Sequence, residues 1–278
     1  MDSLTYWYFR SEKKLTAEEA SACINYLSRT NPAGKDTISL LRGVSYYVLK
    51  NDAAALRELN LALAVNSRYK RAYAARADVY YEMRDFKAAI RDYKMVVQLD
   101  PNDPKAYFDL AYAQHETKQV KNAIGNYSKA LVLDSTRNSV YNNRGVLYMR
   151  LGDYKKARED FDAVLRVDPQ DTLVYMNLGY LFYYMKEYEF SVKYFDTYIK
   201  MEPREAIAYN YRGMSKYGLG QYEYAIEDYT IAISLNLLDP EPYYNRASAK
   251  LKLNDLDGFD ADWRNAKEAK RMSKKLGL

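Results

Sequence analysis

Residues 141–157 read Tyr141-Asn142-Asn143-Arg144-Gly145-Val146-Leu147-Tyr148-Met149-Arg150-Leu151-Gly152-Asp153-Tyr154-Lys155-Lys156-Ala157. Tyr141, Val146 and Tyr148 recur at helical spacing, and so do Tyr154, Ala157, Phe161, Val164 and Leu165 after them. Leu151-Gly152-Asp153 between the two sets is a turn signal, and Asp168-Pro169 closes the stretch. The segment is therefore expected to be two packed helices joined by a tight turn.

The same stretch recurs along the chain. Tyrosines stand at 73, 107, 141, 175, 209 and 243, 34 residues apart each time. Frames of 34 begin at Asp36, Lys70, Pro104, Asn138, Thr172, Ala206 and Pro240. Position 8 of the frames holds Gly43, Ala77, Ala111, Gly145, Gly179, Gly213 and Ala247, all small. Position 20 is small in all but the last: Ala55, Ala89, Ala123, Ala157, Ser191, Ala225, Phe259. Position 24 is bulky throughout: Leu59, Tyr93, Tyr127, Phe161, Phe195, Tyr229, Trp263. Small residues at 8 and 20 let two helix axes approach, and the large residue one turn later fills the space beside them. All seven prolines lie at or near frame junctions, away from helix interiors, where each would cost about 3 kcal/mol.

These residues resemble the tetratricopeptide repeat family, whose unit is a 34-residue helix–turn–helix. The resemblance implies an all-α fold, a right-handed α-solenoid of stacked repeats. It covers seven units, 36–69, 70–103, 104–137, 138–171, 172–205, 206–239 and 240–273, followed by a basic tail, 274–278. Residues 1–35 fit the register poorly and are expected to be an irregular helical cap, read as a degenerate repeat, the alternative being that its aromatics form a self-association patch. Thr16-Ala17-Glu18-Glu19 there is a capping box before a helix through Ala20, Ile24 and Leu27 that ends at Asn31-Pro32, and Tyr6-Trp7-Tyr8-Phe9 precedes it.

The resemblance also implies where function lies. The first helix of each pair lines a concave groove through positions 2, 5, 6, 9, 12 and 13. Asn143, Asn177 and Asn245 occupy position 6, with Asn142 and Asn210 at position 5. An asparagine amide donates and accepts, so a row of them can pair with an extended peptide backbone. Tyr112, Tyr180, Tyr184, Tyr211 and Tyr244 fall on the same groove positions, and tyrosine gives large contact area with few rotamers to freeze. These ten residues are the candidate partner-binding site. The family's clamp for acidic chaperone tails is not expected, because position 5 never holds Lys and position 9 never holds Asn. The Arg at position 7 of five frames, Arg42, Arg76, Arg144, Arg212 and Arg246, faces the seam between helices in this family.

Composition limits the other classes. The 278 residues hold one Cys, Cys23, and one His, His115, so neither an internal disulfide nor a Cys/His zinc site can form within one chain. The two lie far apart in a linear stack and make no nucleophile–base pair. No Gly-rich phosphate loop or metal-ligand cluster is present. The chain is expected to be no enzyme and to need no cofactor or metal. Of the net charge of +5, residues 263–278 carry all of it, so the body is neutral and nucleic acid is not an expected partner. No apolar run suffices for membrane insertion, and the start lacks a signal peptide. The expectation is a cytoplasmic chain, or a periplasmic or secreted one from which a signal segment was removed. The expected function is a scaffold or adaptor that binds a peptide segment or partner protein in the groove. The alternatives are a self-assembling homo-oligomeric protein and the non-catalytic subunit of a larger complex.

Overall fold

A computed structural model describes residues 16–29 and 34–277. Tyr6–Phe9, Asn31 and Pro32 lie outside them. The described residues form fifteen α-helices and no strand: α1 (Ala17–Arg29), α2 (Lys35–Val48), α3 (Asp52–Val65), α4 (Lys70–Glu82), α5 (Phe86–Leu99), α6 (Pro104–Glu116), α7 (Val120–Leu133), α8 (Asn138–Arg150), α9 (Tyr154–Val167), α10 (Thr172–Tyr184), α11 (Tyr188–Met201), α12 (Ala206–Gly218), α13 (Tyr222–Leu235), α14 (Glu241–Lys252) and α15 (Leu256–Leu276). The fold class is the all-α solenoid of helical repeats. Lys274 and Lys275 belong to α15, which runs on to Leu276.

Two compact units divide the chain, Met1–Val140 and Tyr141–Leu278. In the first, α1 opens on its capping box: the Thr16 N–H donates to Glu19 Oε2 at 2.8 Å and the Glu19 N–H to Thr16 Oγ1 at 3.2 Å. Cys23 and Leu27 on its apolar face pack against Ile38 and Leu41 of α2. Pairs α2/α3, α4/α5 and α6/α7 follow, and the first helices α2 and α4 of successive pairs also touch. Leu40, Val44, Leu59, Leu63 and Val79 form the core between α2, α3 and α4.

The second unit pairs α10 with α11, α12 with α13 and α14 with α15, and its first helices α10, α12 and α14 touch in succession. Phe161, Val164, Leu178, Leu181 and Phe182 fill one core layer, and Phe195, Tyr198, Ile199 and Tyr209 the next. The small residue at position 8 has a direct reason here. A Cβ added to Gly179 would sit 2.8 Å from the Phe195 ring, closer than any contact permits. Ser191 at position 20 buries its hydroxyl by donating to the Gly179 carbonyl at 2.9 Å and meeting the Ser215 hydroxyl at 2.8 Å.

Each turn inside a pair passes through a left-handed residue at position 15 of the frame: Lys50, Arg84, Lys118, Gly152, Lys186, Gly220 and Asn254, with φ between 58° and 77°. Only Gly152 and Gly220 adopt it without a Cβ penalty. At the next position Asn51, Asp85, Asp153 and Asp255 cap the second helix, each side chain accepting from the N–H three residues on.

Candidate functional site

The asparagine row is built as pairs. The Asn177 amide donates from Nδ2 to Asn142 Oδ1 at 2.7 Å, and Asn245 donates to Asn210 Oδ1 at 3.0 Å. Each bond links position 5 of one first helix to position 6 of the next. Asn142, Asn177 and Asn210 are buried, and Asn143 is half-buried. Sequence spacing puts these amides on one face but does not show that they satisfy one another across repeats. Two hydrogen bonds thus make four of the five asparagines ties between neighbouring first helices, at about 1 kcal/mol per bond.

The structure gathers three of the five candidate tyrosines. Tyr180 and Tyr211 meet edge to face at 4.5 Å, Tyr183 meets Tyr211 at 5.5 Å, and Tyr184 joins them edge to face on Tyr183 at 5.5 Å. Burial, with neighbouring phenols behind it, pushes the Tyr180 and Tyr211 hydroxyls above the usual phenol range. Tyr184 is 48% exposed and presents the edge of this cluster. Tyr112 stands apart on α6, 38% exposed, against Phe108 and Tyr81. Tyr244 packs on Trp263, with centroids 4.9 Å apart.

A cavity of about 480 Å³ opens between α4 and α6 in the first unit. Lys70, Ala74, Ala75 and Asp78 line it from α4, and Lys105 and Asp109 from α6. Lys70 is held by Asp100 at 2.6 Å and Asp103 at 3.1 Å, and Lys105 by Asp109 at 2.6 Å. Asp78 accepts from the Tyr93 hydroxyl at 2.6 Å. Burial raises its carboxyl to about 6, against the opposing pull of the Tyr93 hydrogen bond and of Lys105. No Asn and no Tyr stands at a groove position on this wall, so the asparagine and tyrosine pattern does not mark it. The available signal was Asp78 and Asp109 at positions 9 and 6 of successive frames.

Four of the five position-7 arginines lie in the seam, each in a two-pronged ion pair with the Asp sixteen residues on; in frame one the residue sixteen on is Glu58, and Arg42 donates instead to the Leu27 carbonyl at 2.7 Å. Arg76 grips Asp92 at 2.6 and 2.8 Å, and Arg144 grips Asp160 at 2.9 and 2.7 Å. Arg212 on Asp228 and Arg246 on Asp262 repeat the contact. Each guanidinium also lies 5.3–5.9 Å from the position-4 tyrosine ring of its own frame. Cys23 sits in the α1–α2 core and His115 on α6. Among the described residues no cluster could hold a metal ion, and no helix is long and apolar enough to cross a membrane.

Helix pairs in a 34-residue register, tied first helix to first helix, define a helical-repeat interaction module. Three family models match: "Tetratricopeptide repeat" at 139–171 and again at 173–205, and "TPR repeat" at 77–118. The chain belongs to the tetratricopeptide repeat family. Curated proteins give no match. Among solved structures, it is similar to the C-terminal part of a TPR repeat-containing protein from Cytophaga hutchinsonii (TM-score 0.70, 21% identity, 85% of this chain and 97% of that one). A tetratricopeptide repeat protein from Parabacteroides merdae is also similar (TM-score 0.68, 18% identity, 87% and 97%). So is YrrB, described as a TPR protein with an unusual peptide-binding site (TM-score 0.55, 17% identity, 64% and 92%). At these identities the likeness is one of fold. Repeats of this family are generally non-catalytic modules that bind other proteins or peptides.

Proposed function

We propose that the chain is a non-catalytic scaffold or adaptor that holds a peptide segment or partner protein against the first-helix face of its repeats. The observation that supports this most is the cavity between α4 and α6, lined by positions 1, 2, 5, 6 and 9 of one first helix and positions 2, 3 and 6 of the next. A cavity of about 480 Å³ falls within the common range for ligand pockets. Asn143, Tyr112, Tyr180, Tyr184, Tyr211 and Tyr244 are the contacts proposed for the bound chain. The paired asparagines hold the helices that carry them. The peptide-binding site named for YrrB agrees with this use of the fold.

The test is site-specific photo-cross-linking in an extract of the native host. A photoreactive phenylalanine analogue replaces Tyr184 or Tyr112, or Val132 on the second helix α7, which is 83% exposed. An adduct of one discrete mass at 184 or 112 and none at 132 is expected. Adducts only at 132 sink the groove, and adducts of twice the chain's own mass favour self-assembly.

A further inference from the structure

The charges around the α4–α6 cavity are unevenly matched. Lys70 is held by two carboxylates and Lys105 by Asp109. Asp78, on the same wall, has a hydroxyl for a partner and no cation in hydrogen-bond contact; its Oδ1 accepts from Tyr93 and its Oδ2 takes no protein hydrogen bond. A carboxylate withdrawn from water without an ion-pair partner is destabilised, and a cation brought to it recovers that loss.

We propose that this cavity seats a lysine or arginine side chain of the bound segment, its cationic head against Asp78 and its methylene stem along Ala74, Ala75 and Ala106. This rests on the groove reading above and specifies what one subsite of it selects. The stem matches the alanines as apolar surface, and the head forms the charge-assisted hydrogen bond that Oδ2 lacks. A carboxylate ligand is the poorer fit, because both lysines at the cavity are already neutralised and Arg71, the third cation on its lining, is itself engaged. Asp78 is faced by Tyr47 of α2, Glu82 of its own helix, Tyr93 of α5, and Lys105 and Asp109 of α6. Of these, the Tyr93 hydroxyl and the Lys105 ammonium favour the ionised form; Lys105 is the one cation among them, and Asp109 engages it at 2.6 Å. With the Asp78 carboxyl raised to about 6, the seat empties of charge as pH falls through that value. Binding then weakens from pH 7.5 to 5.5.

The probe is a set of random dodecapeptides selected on the intact chain at pH 7.5. Those that occupy the groove are identified by shifts of the Ala74, Ala75 and Ala106 methyl resonances. Groove-bound peptides are expected to share one Lys or Arg, whose replacement by norleucine lowers affinity at least tenfold. Asp78→Asn, which keeps the acceptor for Tyr93, should cause a similar loss, leave no further effect of the norleucine swap, and abolish the pH dependence. Groove-bound peptides without a basic residue, or unchanged affinity in Asp78→Asn, overturn the cation seat and leave the groove reading standing. If every selected peptide leaves the three methyl resonances in place, the seat and this groove both fall. The norleucine arm reads the same interaction without altering the protein.

Discussion

Asp78 shows how a single side chain can carry cost and use together. Its carboxyl titrates near 6 in the folded chain and near 3.9 when unfolded. Between those values the folded state holds the extra proton, so this group's contribution to stability declines as pH rises from about 4 to about 6. At pH 7 the full penalty is present. Asp78→Asn should therefore stabilise the chain at pH 7 by on the order of 2 kcal/mol, and by little at pH 4. Urea unfolding of both proteins at the two pH values checks this. An equal difference at both pH values would show that the carboxyl is not shifted.

Between helices of one pair, the Arg–Asp seam behaves as a unit. Frames two, four, six and seven carry both partners; frame three has Leu110 with Asn126, frame five has Leu178 with Tyr194, and frame one has Arg42 with Glu58, where Arg42 turns to the Leu27 carbonyl. The reason is electrostatic, because a buried carboxylate without its guanidinium is costly, whereas a pair replaced together is nearly neutral. Arg144→Leu, which leaves Asp160 buried, should cost about 3 kcal/mol. Adding Asp160→Asn, to copy frame three, should return stability to within about 1 kcal/mol of the starting protein. Chemical denaturation of the two variants decides it, and a double variant no better than the single would deny the coupling.

Across the molecule, stability should be local. In repeat proteins each pair contacts only its neighbours, so damage in one place spreads weakly. Gly179→Ala drives a methyl into the Phe195 ring and should cost about 1–3 kcal/mol. Hydrogen exchange should lose protection in α10 and α11 while α4 and α5 keep theirs. Uniform loss along both units would show one cooperative block instead.

The repeat, its length and its paired helices were legible because close packing leaves a periodic trace: Gly179 must be small where Phe195 crosses it, and the spacing from one to the other recurs in every frame. The Thr16–Glu19 box was legible for a similar reason, since a cap is a contact over three residues. Local chemistry of this kind is written along the chain. Other features required the folded structure. Position 15 adopts left-handed backbone even at Lys50, Arg84 and Lys118, whose side chains do not announce it. The asparagine amides satisfy each other 35 residues apart, which residue type and spacing alone do not distinguish from amides open to a ligand. Asp78 gains its character from Tyr93 on one helix and from burial beside another. Hydrogen-bond partners and solvent exclusion depend on which helices meet and at what distance, and those are properties of the packed structure.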